Sequence, residues 1–194
     1  MKIKGLIPAA LAIGVASAAL AHTGATGIVK ERMVAMSAMG DAVKAIAPMM
    51  SGEAAYDAEV VREAAELIGS HAGSAMTELF PENNENAASY VKDAIWEDWD
   101  TFTELAERLH TYSEGLALAA DNGLASSRNG MADAGAMMGG DAMMGSGDMM
   151  GGSGMMADAT MGREELAEMP ADAVFAMVSE TCSSCHTRFR TEAK

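Results

Sequence analysis

Cysteine is nearly absent from this chain: 194 residues contain two, too few to staple a small fold together with disulfides. Aromatic residues make up 5%. Val, Ile, Phe and Tyr are scarce beside Ala and Met, which argues for helices rather than sheets. Basic residues are few as well. Thirteen Lys and Arg stand against 28 Asp and Glu, for a formal charge of −15. Such a chain lacks the cations that displace phosphate counterions, so nucleic-acid binding is excluded, and anionic lipid offers it little attraction. The apolar run at 6–20 falls short of the roughly 20 residues that span a bilayer as a helix.

That run has another use. Lys2 and Lys4 precede it and Ala19-Leu20-Ala21 closes it, the layout of a secretory signal peptide over 1–21; an uncleaved anchor is the competing reading. Cleavage would remove two lysines and no acid, and export residues 22–194 as a soluble domain, into the periplasm if the source is bacterial. The length suits one domain.

Helical periodicity runs through most of 22–194. Val29, Met33, Met36, Gly40, Val43, Ala47 and Met50 step by fours and threes, a stripe widened by Ile28, Met39 and Ile46, which predicts a helix over 28–50 with this stripe as its core face. A second helix is predicted from about 57 to 79 on Val61, Ala64, Ile68, Ala72, Ala75 and Leu79. Val91, Ile95, Trp96 and Trp99 read as a connection with one or two helical turns. Thr101 to Glu104 reads as a capping box opening a third helix to about 120. A last helix starts near Pro170, with Val174, Val178, Cys182, Cys185 and Phe189 on one face. No segment shows strand alternation, and an all-α, antiparallel four-helix bundle is the economical fold. Residues 124–162 interrupt it as a low-complexity insertion, a long loop before the last helix. Ten of the nineteen methionines lie from Met131 to Met161 among Gly, Ala, Asp and Ser. Soft thioethers suit Cu(I), so copper handling is one reading of this tract and a plain linker the other.

Cys182-Ser183-Ser184-Cys185-His186 is C-x-x-C-H, the attachment signature of c-type haem. Two thiols at i and i+3 on a helix face the same way, and each can bond one vinyl group of a porphyrin. His186 then projects under the ring, where its imidazole ligates iron. A thioredoxin-type disulfide would open a helix after a strand, and a zinc site would need a second Cys/His pair; neither is present in the sequence.

The ending Cys182 to Arg190, with Phe189 and Arg190 in place, resembles the class II c-type cytochromes, the cytochrome c-prime family. So do the opening segment from Val29 to Met36, Leu79-Phe80-Pro81, and Ile95-Trp96 followed by Phe102. The resemblance covers most of 22–194 except about 124–162. It implies a four-helix bundle carrying one covalent haem c. The molecule would be a monohaem electron carrier rather than an enzyme, or a gas-binding protein. Any Met ligand must come from upstream, because no Met follows Cys185. The position four residues after the first-helix Arg faces the distal side of the haem in this family, which makes Met36 the implied sixth ligand. Met33 is an alternative, and a closed apolar pocket with five-coordinate iron, suited to NO or CO, is another. By the same resemblance Arg32 and Arg190, and less directly Lys30, would lie at the haem edge, where a guanidinium can pair with a propionate. Solvated helix-end charges are the alternative. Relatives imply dimerisation through the first two helices. The acidic charge favours a basic redox partner. His71 and His110 read as ordinary helix-face residues. His22, as a new N-terminus, would either chelate copper or fray.

Overall fold

The computed structural model describes residues 25–82, 89–126 and 161–191. They form four long helices, α1 (Gly27–Met50), α2 (Ala58–Ser70), α5 (Trp99–Ala119) and α7 (Ala171–Phe189), with single-turn helices α3 (Ser74–Thr77), α4 (Ala94–Glu97) and α6 (Arg163–Ala167) between them. The long helices make the expected all-α bundle. Among the described residues there is no strand, only an isolated bridge between Val91 and Arg190. None of the described helices is long and apolar enough to cross a membrane. The signal segment, His22 and the methionines from Met131 to Met156 lie outside the described residues.

Local chemistry sets the helix boundaries. Asp57 caps α2, its carboxylate accepting from the Glu59 and Val60 amides at 3.0 and 3.3 Å, which satisfies two of the four orphan donors of a helix start. The continuous second helix expected to residue 79 is broken at Gly73. That residue sits at φ +58°, a conformation that favours glycine, and its amide donates to the Ala106 carbonyl of α5 at 2.9 Å. The break resets the buried face, so Met76 is buried where Ala75 was expected. The capping box at Thr101–Glu104 does not form either. α5 begins at Trp99, and the Thr101 hydroxyl instead donates to the Asp98 carboxylate, holding that group below the usual Asp range with help from Arg188.

The core runs between α1, α2, α5 and α7, with Ile46, Val61, Ile68, Phe102, Leu116, Val174 and Val178 fully enclosed. On α1 the buried residues are Val29, Arg32, Ala35, Met39, Ala42 and Ile46: Val29, Met39 and Ile46 are buried as expected, but the centre of the face is rotated by one residue from the expected line. This corrects the reading of Met33, Met36 and Gly40 as core. Helix α6 was not foreseen. Its Leu166 is fully buried against α5, where a Cβ on Gly115 would come within 2.5 Å of the Leu166 Cβ. Gly115→Ala gains about 1 kcal/mol of helix propensity but costs about 1–3 kcal/mol of overpacking that a side-chain rotation cannot relieve. The expected net result is a melting temperature lower by a few degrees (roughly 2–4 °C per kcal/mol for a chain of this size), measurable by circular dichroism.

Around the insertion the bundle is closed by its own bonds. The Asn122 side-chain amide donates to the carbonyls of Ala167 and Met169, both at 2.7 Å. Ala171 N–H donates to the Gly123 carbonyl at 2.9 Å, and Ala125 N–H to the Asp172 carboxylate at 3.0 Å. The chain therefore leaves and returns at adjacent points, so a long excursion between them costs little. At 1.5 Å per residue this root lies about 20 Å along α7 from His186.

At the other end, segment 89–92 lies along the C-terminus of α7. Lys92 N–H donates to the Phe189 carbonyl and Thr191 N–H to the Tyr90 carbonyl, at 2.9 and 2.7 Å. The Lys92 ammonium adds a bond to the Thr187 carbonyl. α1 packs chiefly on α2 and meets α7 only sparsely. A cleft opens between those two helices, and the segment 89–91 closes one side of it.

Candidate haem site

The cleft encloses about 520 Å³, within the range of organic-cofactor sites. Helix α7 brings Cys185, His186, Phe189 and Arg190 to it, and α1 brings Arg32, Met33, Met36, Ser37, Gly40 and Lys44. Ser89, Tyr90 and Val91 come from the connecting segment, and Phe80, Ile95 and Phe102 from the deeply buried layer. Cys182 lies one turn before Cys185, half-buried against the core and off the cleft wall. Of the expected site residues, the cleft thus unites Arg32, Met36, Cys185, His186 and Arg190, with Met33 beside them. Lys30 is exposed and off the cleft wall. His71 ends α2. His110 places Nδ1 3.1 Å from the Gly69 carbonyl and Nε2 3.7 Å from Glu114.

The two thiols are unlike those of a redox disulfide. Burial raises both above the ordinary cysteine value, and Cys185, with Cys182 beside it, is pushed up to about 11. Reactive C-x-x-C pairs have lowered values because the thiolate does the exchange; these stay protonated at neutral pH. His186 shifts the opposite way. Burial lowers its imidazole below the ordinary histidine range, and Arg190 one turn on adds to that. A neutral ring keeps a lone pair available for a metal.

Arg32 is the unusual member. It is 3% exposed, its guanidinium donating to the Leu79 carbonyl at 3.4 Å and the Ser89 hydroxyl at 3.0 Å, and lying 4.5 Å from the centre of the Phe80 ring. Among the described residues it has no carboxylate partner. Desolvation lowers its pKa. A buried cation without a counter-ion is costly, and here it borders an open space. Lys44 and Arg190 line the same space, and among the described residues no Asp or Glu does, in a chain of net charge −15.

These residues fit a haem. The apolar rings and methionines suit a porphyrin face, and Arg32 and Arg190 suit its two propionates, while the exposed Lys44 ammonium is paired with Asp41 at 3.3 Å. Gly40 supplies an independent sign. It sits mid-helix on the cleft wall, where glycine costs about 1 kcal/mol relative to alanine, yet a Cβ there would meet no atom within 4 Å. Protein packing does not require that glycine, and a flat group lying against the α1 backbone would. Sequence reasoning did not single out Ser37, Lys44, Ser89, Tyr90 or Val91 as site residues. Lys44 was detectable in principle, because it continues the 33–36–40 face by another turn. The 89–91 segment was not, because non-local backbone bonds to α7 hold it in place.

Comparison with known proteins bears on the same site. The chain matches the family described as cytochrome c′ over residues 27–140. That stretch ends before the C-x-x-C-H motif, so the two signals are independent. A cytochrome c-556 of Agrobacterium fabrum is 32% identical over 116 residues, covering 60% of this chain and 76% of the relative. A cytochrome c′ of Rhodopseudomonas palustris is 28% identical over 115 residues, 59% of this chain and 75% of the relative. Among solved structures, cytochrome c′ from Rhodopseudomonas palustris superposes with a TM-score of 0.57 at 20% identity, covering 88% of this chain and all of that one. Cytochrome c′ from Thermochromatium tepidum gives 0.55, also at 20% identity, over 85% and 95%.

Proposed function

The chain belongs to the cytochrome c′ family, whose cofactor is one covalent haem c, and from that premise we propose that it is an exported, periplasmic monohaem electron carrier in which His186 and Met36 would hold the iron. The observation that carries this reading is the cleft itself: Met36 of α1 and His186 of α7 line one space. Haem c supplies the one-electron Fe(III)/Fe(II) couple when bound.

The chain's own residues do the rest. Cys182 and Cys185 hold the ring as thioethers. His186 would offer its imidazole nitrogen to the iron and Met36 its sulfur. A thioether ligand raises the potential relative to a second nitrogen. Arg32 and Arg190 would hold the propionates, which would supply the counter-charge Arg32 lacks. Phe80, Ile95 and Phe102 exclude water from the inner edge, and helices α1 and α7 hold both ligands in place. Electron transfer is faster when little moves as the charge changes. The carrier makes and breaks no covalent bond, so it is not an enzyme in the usual sense.

A second reading uses the same cleft. Val91, Ile95, Phe102 and the methionines give it an apolar wall, and with Met36 as packing alone the iron would be five-coordinate and open to NO or CO. An absorption spectrum of the ferric protein separates the two. A weak long-wavelength Met–Fe(III) charge-transfer band with a low-spin Soret pattern is expected. A high-spin spectrum without that band overturns Met36 ligation and favours the gas-binding reading.

A further inference from the structure

A second groove adjoins the haem cleft at Phe80. It is lined by Thr77, Glu78, Phe80, Pro81, Glu82 and Trp99. Phe80 belongs to both linings, so the groove and the cleft share a residue. Trp99 is 37% exposed, an unusual place for the largest side chain in a fold this poor in aromatics. Its ring centre lies 5.3 Å from that of Phe102, and Phe102 lies 4.8 Å from Phe80 and 5.7 Å from Phe189. Phe80, Phe102 and Phe189 all line the haem cleft. A series of tilted and edge-to-face ring contacts thus runs from the surface at Trp99 to the cleft lining.

The charges of the two openings are opposite. Lys44, Arg190 and Arg32 line the haem cleft without an acid, whereas Glu78 and Glu82 line the groove without a base. Asp100 and Glu97 flank Trp99 in sequence and are exposed. Arg188, which reaches the start of α5, is paired with Asp98 and leaves the face acidic.

We propose that this groove is the docking site for a basic one-electron redox protein, with Trp99 as its anchor. The proposal rests on the electron-carrier reading of the haem. Exposed tryptophans are the residues most enriched at the energetic centres of interfaces, and the acidic rim steers a cationic partner to them. In the encounter complex one electron passes between the partner's redox centre and the haem iron, one being oxidised as the other is reduced; no bond or proton moves. Because tunnelling falls steeply with distance, a partner seated on Trp99 is coupled to the haem through ring contacts rather than across solvent.

The test uses the holoprotein with a lysine-rich class I cytochrome c as the basic probe, reading the bimolecular exchange rate by stopped flow against ionic strength. The wild-type rate should fall steeply with salt. Glu78→Gln with Glu82→Gln should lower the low-salt rate by about three- to tenfold and flatten the salt slope. Trp99→Ala should lower it by about tenfold or more, with Trp99→Phe retaining most of the rate. The rate of reduction by dithionite, a small anion, should stay within a factor of two in every variant, which shows an intact haem. Unchanged exchange rates in both the glutamine pair and Trp99→Ala would overturn the docking site while leaving the carrier reading in place. A wild-type protein that dithionite reduces but that exchanges no electron with the probe at any salt concentration would overturn both.

Discussion

Replacing Cys182 and Cys185 together with alanine is expected to abolish covalent haem and to leave a chain that no longer melts cooperatively. The first half follows from the motif, since no other cysteine exists to form a thioether. The second half follows from the cleft. Met33, Met36 and Val91 are only half-buried by protein, and completing the burial of each is worth about 1 kcal/mol, half the value for a whole side chain. Arg32 adds a buried cation without a counter-ion, a penalty of several kcal/mol. Together these losses rival the roughly 5–15 kcal/mol that stabilises an ordinary domain. Acid–acetone extraction followed by near-ultraviolet circular dichroism reads both effects. A double variant that carried haem through extraction would refute the attachment site. One that lost haem but kept a sharp melt near the wild-type temperature would show that α1 and α7 close on each other without it.

The same cleft explains what the sequence made legible. The haem motif needed only local spacing, and the α1 boundaries needed only period and flanking residues. The stripe through Met33, Met36 and Gly40 was a true signal read as the wrong surface. Helix α1 has two apolar faces. Val29, Ala35, Met39, Ala42 and Ile46 are buried, while Met33, Met36 and Gly40 face the cleft. A periodicity argument assumes one core, and a cofactor acts as a second. Arg32 adds to the confusion, because a charged residue is ordinarily assigned to water, and its burial makes sense only beside an anion. The break at Gly73, the docking of Leu166 on Gly115 and the bonds from segment 89–92 to α7 all depend on partners far away in the chain, which no local pattern encodes.

Met36→Ala is expected to convert the ferric haem from low-spin to high-spin and to open the iron to carbon monoxide in the ferrous state. Met33 and Met36 line the cleft one turn apart on α1, so the helix offers two thioethers and the experiment must separate them. Met36 packs against the core cluster, which limits its rotamers and favours it as the fixed ligand. Met33 has no such contact with the cluster among the described residues. The expected magnitude follows from competition. A resident ligand occupying the iron 99% of the time weakens an incoming one about 100-fold, and deleting it returns that factor to carbon monoxide. Alanine also leaves a small apolar space, with Gly40 one turn on adding no side chain to fill it. Met33→Ala should leave the spectrum low-spin and carbon monoxide binding within about threefold of wild type, since an interaction of under about 0.7 kcal/mol would be at stake. The opposite pattern, with Met33→Ala high-spin and Met36→Ala unchanged, would assign the ligand to the preceding turn. Carbon monoxide binding that is already fast in the wild type and insensitive to both substitutions would show that neither methionine reaches the iron, and would shift the protein's role from carrying electrons to binding gas.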